Sequence, residues 1–460
     1  MGMSEKPFVW WIFLLVVALF ISSPALGGTR VSVYLALKSP VSAPVWFKFK
    51  GLAVAQDGED WTELKARVRE VDSSKVGRGQ VFLGIFEIPQ GSYTRLRLTL
   101  EKAALKKDGK LMLLSLAQKE AEFRISPPLN LRDGDSTCLF LTWDVDASVK
   151  GGFSFEPVIH VKPQAIPIAS ELLYVTCDDI DTLYVIRADK NWVVGSLGLG
   201  GGPKGLKIDK DLNRLYVVDS KSRDIKVVEL STNRVVDSIM LPFVLEPTFI
   251  ELSPDGAKAY VTDKKGNYLL KLDLSSGSVE GEAELGHGLY YPLYIEDEGV
   301  LAVSSLLSQL VYLVDPADLR VRQEVRVGVS PEGLLVHQGY LYVADRGSGT
   351  VTVYSFREGR VLGRVNVGAQ PRRIVGSGNK VYVSDYGEGS LSLLLPGRTV
   401  VFRKIAIGGT PLDMAVCERR RWLYVLDRDA KKVKVLGLTS ERLVTAIPLG
   451  GTPFSAQVLQ

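Results

Sequence analysis

The sequence predicts an all-β protein: an N-terminal β-sandwich followed by a seven-bladed β-propeller closed by the C-terminal strand. Three observations carry that prediction. The phrase RLYVVDSKSRDIKVVEL, Arg214 to Leu230, returns as AYVTDKKGNYLLKLDL, LYVADRGSGTVTVYS and LYVLDRDAKKVKVLGL. Its core position recurs at Tyr174, Tyr216, Tyr260, Ala302, Tyr342, Tyr382 and Tyr424, at steps of 40 to 44 residues. That is the length of one four-stranded blade. Each copy also ends in a run led by a proline: Pro203, Pro247, Pro292, Pro331, Pro371, Pro411 and Pro453.

Residues 1–27 read as a signal peptide. A lone Lys6 precedes an unbroken apolar run from Phe8 to Ile21, then small residues through Ala25 and Gly27. The run falls short of the roughly 20 residues that span a bilayer, and it matches the apolar core of a secretory signal. Membrane attachment is expected only if this segment stays uncleaved. Residues 30–162 alternate apolar and polar positions in VSVYLAL, VWFKFKGLAV, TRLRLTL and CLFLTWDV. Such alternation predicts half-buried antiparallel strands, hence the sandwich. Residues 163–171, with Pro163 and Pro167, are expected to be a stiff linker. The propeller then occupies 172–460. It starts without a proline-led strand and ends with one to spare, so Pro453 to Leu459 should complete the first blade and remove an exposed edge.

Composition narrows the function. Hydrophobic residues make up 46% and charged residues 23%, a globular balance, and the net charge is only +4. Nucleic acid is therefore an improbable partner by charge. Three cysteines, Cys138, Cys177 and Cys417, with no CxxC or CxxCH, leave neither a disulfide framework nor a covalent haem site. Cys177 is expected at the channel mouth and Cys417 at the far end of an inner strand, both as free thiols.

The cores LYVTCDD, LYVVDS, AYVTDK, LYVADRG and VYVSDYG, each followed by VG or GG ahead of a proline, closely resemble the YVTN-type propeller repeat, with some likeness to the NHL repeat. The resemblance implies the propeller fold over 172–460. It implies no single activity, because such propellers include surface proteins, DNA binders, lyases and electron-transfer domains. The pattern GSYTRLRLTL with FLTWDVDASV and FEPVIHV resembles the transthyretin-like or immunoglobulin-like sandwich of bacterial exported proteins and lipoproteins. That family carries no established catalytic residues, so it implies a fold and an exported address.

Three residues beyond the core positions stand Asp219, Asp263, Asp345, Asp385 and Asp427. A ring of carboxylates on second strands, roughly 12 Å from the axis, is too wide to chelate one ion. These residues are expected to be structural, tying the turn that follows each strand. No metal and no cofactor is expected. Individuality lies instead where the copies disagree, just after the prolines. Lys204, Arg372 and Arg373 form a candidate site for a small anionic ligand at the channel mouth, with His287, Tyr290 and Tyr291 as a stacking wall and Tyr294 beside them. The bland counterpart is that Glu246, Glu332 and Asp413 neutralise those cations. His160, His287 and His337 are too scattered for a metal site or a triad. The sequence thus points to a monomeric, noncatalytic binding or scaffolding protein of the cell envelope, periplasmic or at the cell surface, with an envelope protein or small anion as partner. A propeller lyase or hydrolase working at the mouth is the first alternative, and single-stranded DNA binding the second.

Overall fold

The computed structural model describes residues 29–107, 110–165 and 170–460; the segment expected to be a signal peptide, 1–27, lies outside them. Seven four-stranded antiparallel sheets follow one another around a ring. Blades 2 to 7 open with inner strands Pro203–Asp209, Pro247–Leu252, Leu289–Ile295, Pro331–His337, Pro371–Ser377 and Pro411–Cys417. Blade 1 takes Leu172–Cys177, Thr182–Arg187 and Trp192–Gly198 from the start of the ring, and its inner strand is the C-terminal Pro453–Leu459. The expected closure is present.

Burial explains the repeated phrase. The second and third strands of each blade lie between neighbouring sheets, so Leu-Tyr-Val cores such as Leu341, Tyr342 and Val343 are fully buried. Outer strands face water, as in Arg234–Met240, where Ile239 alone is buried. Tyrosine also joins adjacent blades. The hydroxyl of Tyr174 donates to Asn233 Oδ1 in blade 2 at 2.7 Å, Tyr260 to the Pro316 carbonyl in blade 4 at 3.1 Å, and Tyr424 to Asn191 Oδ1 in blade 1 at 2.9 Å. Tyr342 accepts from the Gly397 amide in blade 6 at 2.9 Å. Four of the six core tyrosines thus clasp the blade that follows.

Residues 29–163 form twelve strands joined into one hydrogen-bonded sheet. Its two halves pour side chains into a single core around Trp143, which meets Phe47 edge-on at 4.8 Å. This unit rests on blades 1 and 7 through buried contacts. Ser32 Oγ and the Tyr184 hydroxyl are 2.8 Å apart, and the Tyr34 hydroxyl donates to the Pro448 carbonyl at 3.2 Å. Gln80 accepts from the Val193 amide at 2.9 Å and donates to the Val193 carbonyl at 3.1 Å. Gln164 does the same for Ser196, at 2.9 and 3.0 Å. Each glutamine mimics a peptide group, so the outer edge of blade 1 is capped. Gln164, in the segment expected to be a linker, is half-buried at this contact, and residues 166–169 lie outside the description.

Candidate functional site

The inner strands set the channel. Pro203, Pro247, Pro331, Pro371, Pro411 and Pro453 each pair with the last residue of the second strand, at Asp219, Asp263, Asp345, Asp385, Asp427 and Cys177. In blade 4 that place is held by Leu289, opposite Ser305, and Pro292 stands three residues inside the strand, opposite Val303. The proline is therefore a misleading marker there. Tyr290 and Tyr291 belong to the strand rather than its approach loop, in register with Arg372 and Arg373. Tyr294 moves to the far half of the channel and packs against Tyr260 at 6.1 Å.

Arg373 closes the mouth. It is 7% exposed, its Nε donates to Asp413 Oδ1 at 3.2 Å, and its guanidinium reaches across the ring to Phe249 at 4.3 Å and Tyr291 at 4.5 Å. Phe249 stacks on Phe454 at 5.6 Å and meets Tyr290 edge-on at 5.1 Å. A cation clasped by aromatic faces in a desolvated site is held firmly. Two glycines allow the strands to come this close: a Cβ at Gly205 would lie 2.7 Å from Phe249, and one at Gly333 would lie 2.5 Å from the Arg372 carbonyl.

The three candidate cations share the mouth face, and each has a carboxylate. Lys204 Nζ is 2.8 Å from Glu246 Oε1, Arg372 Nη1 is 3.3 Å from the buried Glu332, and Arg373 is held by Asp413. A site built from three free cations is thus corrected to three internal ion pairs. Arg372 also lies over Tyr386 at 4.5 Å. His287 is exposed in the turn before blade 4, where its carbonyl accepts from Ser305 Oγ. The aromatic wall is Phe249, Tyr290, Tyr291 and Phe454, two members of which sequence reasoning missed. Their signal was available: each stands at the same offset from the first residue of its inner strand as a residue already named.

Below the plug, the channel holds a cavity of about 440 Å³. Lys207 and Glu251 pair across one side at 2.5 Å, while Leu293, Leu335 and Val375 line the other. A wider recess of about 600 Å³ between the N-terminal unit and blade 1 is bordered by Pro40, Arg78, Asp189 and Trp192. Among the described residues no three His, Cys, Asp or Glu side chains converge as a metal set, and no helix is long and apolar enough to cross a membrane. The cysteines are free and buried; burial pushes the Cys138 thiol up to about 12.

The aspartates do more than tie the turn that follows, as Asp427 does by accepting from the Ala430 amide at 3.3 Å. Asp345 Oδ1 accepts from the Gly328 amide at 2.9 Å, Asp385 Oδ1 from Gly368 at 3.1 Å, and Asp263 from both Leu245 and Glu246 at 2.7 Å. These donors lie in the loop leading into the inner strand, so the carboxylates fasten the crossover between blades. Hydroxyls five and seven residues on complete the set, as with Thr350 and Thr352 on Asp345 at 2.9 and 2.6 Å. Asp427 binds the Thr410 amide at 3.1 Å, and burial that would raise its carboxyl is outweighed by Lys434 at 2.6 Å, which holds it low. Asp219 is the exception. It is fully buried with neither oxygen hydrogen-bonded, because Asp224 and Lys226 stand where the hydroxyls should be and Lys226 binds Asp224 at 2.5 Å. Burial, then the Asp224 charge, raises its carboxyl to about 7.

The approach loops also differ. Six of them have four residues, whereas the one into blade 3 runs from 241 to 246. Leu241 and Val244 anchor it in the core, and Phe243 is left 95% exposed at φ 61. A bulky aromatic in the left-handed region is strained by about 1–3 kcal/mol.

No protein-family model matches the chain, and no curated protein sequence matches it significantly. Solved structures do. A protein of unknown function from Desulfotomaculum acetoxidans superposes with a TM-score of 0.56 at 14% identity, covering 63% of this chain and 99% of its own. Candidate 6-phosphogluconolactonases from Bacteroides fragilis and Bacteroides uniformis both give 0.54 at 14% identity. They cover 64% and 63% of this chain and all of their own. At that identity the likeness establishes the seven-bladed propeller and nothing about chemistry.

Proposed function

We propose that this is an exported, noncatalytic binding protein of the cell envelope, with the mouth face of the propeller as its partner surface. The observation that carries the reading is the exposed, strained Phe243 on a loop two residues longer than its six counterparts. Strain persists where a side chain is needed outside the core. Around it, Lys204, Lys264 and Lys265 share the single carboxylate of Glu246. The rim therefore offers an aromatic anchor within a surplus of positive charge, which suits a protein with an apolar pocket and an acidic border.

The lactonase names of the structural neighbours raise hydrolysis as a rival, but the mouth that an ester or lactone would enter is stoppered by Arg373. A photo-crosslinking amino acid at position 243, with position 402 on the exposed outer strand of blade 6 as control, tests the proposal in intact cells. A discrete adduct from 243 alone, weakened by Lys264→Glu with Lys265→Glu, is expected. Absence of that adduct, or lactone turnover by the purified chain that Tyr291→Phe abolishes, overturns it.

A further inference from the structure

The sheet of the N-terminal unit has one open edge. Lys110–Leu116 is the return strand of a hairpin with Gly91–Lys107, and beyond it the short strand Ser154–Phe155 pairs only with Ser115 and Leu116. The stretch from Lys110 to Leu114 is left uncovered. The Ser115 amide points outward and donates to the Phe153 carbonyl at 2.8 Å, so by alternation the amides of Leu113 and Leu111 point outward too. Lys106, opposite Leu111, likewise turns its amide away, to the Pro44 carbonyl at 2.8 Å. Neither leucine amide has a backbone partner among the described residues.

The side chains on this edge are apolar and exposed. Leu111 and Leu113 are 62% and 76% exposed on the outer face, Met112 is 49% exposed on the other, and Phe153 in the adjoining turn is 69% exposed. Trp46 is half-buried on the outer face, across Ala104 from Leu113. Clustered exposed apolar side chains mark a contact surface. Lysines surround them. Residues 105–113 hold Lys106, Lys107 and Lys110 against one acid, Asp108, which lies outside the described residues, and Lys150 adds a cation from the turn that carries Phe153. All four lysines are exposed, and none enters an ion pair among the described residues.

Two features choose the partner. Apolar side chains stand on both faces of one edge; a flat protein surface covers one face, whereas a fluid interface surrounds both. The lysines also set two copies of this chain against each other, since like charges on an open edge oppose edge-to-edge pairing, while an anionic lipid surface meets them with the opposite charge. We propose that this hairpin edge is a membrane-contact site that enters the headgroup layer of a bilayer rich in anionic phospholipid. Leu111, Met112, Leu113 and Phe153 reach about 5–10 Å in, to the boundary with the acyl chains. The lysine ammonium groups meet lipid phosphates, the outward amides of Leu111 and Leu113 donate to headgroup oxygens, and Trp46 lies at the water boundary, where an indole is favoured. The contact belongs to the N-terminal unit, so it does not rest on the mouth-face reading.

The full chain labelled with an environment-sensitive fluorophore at Ser115→Cys tests it, the three native thiols being buried. The probe reports this edge alone, whatever residues 1–27 contribute. With phosphatidylglycerol vesicles in low-salt buffer its emission should shift to the blue and resist quenching by aqueous acrylamide, at far lower lipid than with phosphatidylcholine vesicles. Lys106→Gln with Lys107→Gln should raise the lipid needed about thirtyfold. Leu113→Ser with Phe153→Ser should raise it about tenfold. These side chains are exposed, so neither pair should alter the melting temperature. Three results overturn the proposal: no shift with anionic vesicles, a shift that both variants leave unchanged, or a shift that grows with protein concentration in the absence of lipid and that Leu113→Ser with Phe153→Ser removes, which makes a second copy of the chain the occupant.

Discussion

Replacing Asp219 by Asn should stabilise the propeller above neutral pH and leave it unchanged in acid. The carboxyl titrates near 7 in the fold against 3.8 ordinarily. A group raised in this way adds stability that is complete below the lower value and is lost as pH rises through the higher one. About three pH units at 1.36 kcal/mol each set a ceiling of ~4 kcal/mol on the loss in the wild type. The facing groups temper it: Asp224 and Asp181 deepen the loss, Lys226 opposes it, and the Gly201 amide offsets part without making a sound hydrogen bond. Half the ceiling, ~2 kcal/mol, is the working figure. In a ring of this size it corresponds to a melting shift of about 3 °C. Thermal melts of both proteins by circular dichroism, from about pH 4 to pH 9, read it directly. The variant should match the wild type at the acid end and separate from it progressively between about pH 4 and pH 7. A difference independent of pH, or a variant less stable at pH 8, refutes the assignment of an unpartnered buried carboxylate.

The tyrosine clasps give a paired test by chemical denaturation. Tyr174→Phe should cost ~1 kcal/mol, and Tyr382→Phe should cost nothing, since the Tyr382 hydroxyl has no partner. Arg373→Met leaves Asp413 buried with its remaining donors and an open mouth; a loss of ~3 kcal/mol in the same assay is expected, with no rescue by lysine, whose compact charge cannot cover the aromatic faces. Deleting Pro453 to Gln460 should abolish cooperative unfolding, because Leu172–Cys177 then loses its inner partner.

The ring was legible because period and phase are backbone properties, repeated seven times. Blade 4 was read wrongly at one point because a proline served as the marker, and Pro292 sits within a strand whose true first residue is Leu289. That shift alone misplaced Tyr290, Tyr291 and Tyr294. The ion pairs are contacts between neighbouring blades, so their partners stand about one repeat apart: Lys204 with Glu246, Glu332 with Arg372, Arg373 with Asp413. Opposite charge at one repeat spacing is a signal a sequence can carry. The isolation of Asp219 is subtler, since it depends on what stands five and seven residues later. Hydroxyls there satisfy Asp345 and Asp385, whereas Asp224 repels Asp219.

Closure by the last strand also imposes an order of events during synthesis. Thr176 and Ser455 bond across a separation of 279 residues, so the first blade waits for Pro453–Leu459 to be made before its inner edge is covered. Its outer edge need not wait. The residues that cap it, Gln80 and Gln164, are made before the propeller begins. The N-terminal unit can therefore shield one side of the nascent fragment while six further blades accumulate, leaving a single open edge to be sealed by Pro453–Leu459.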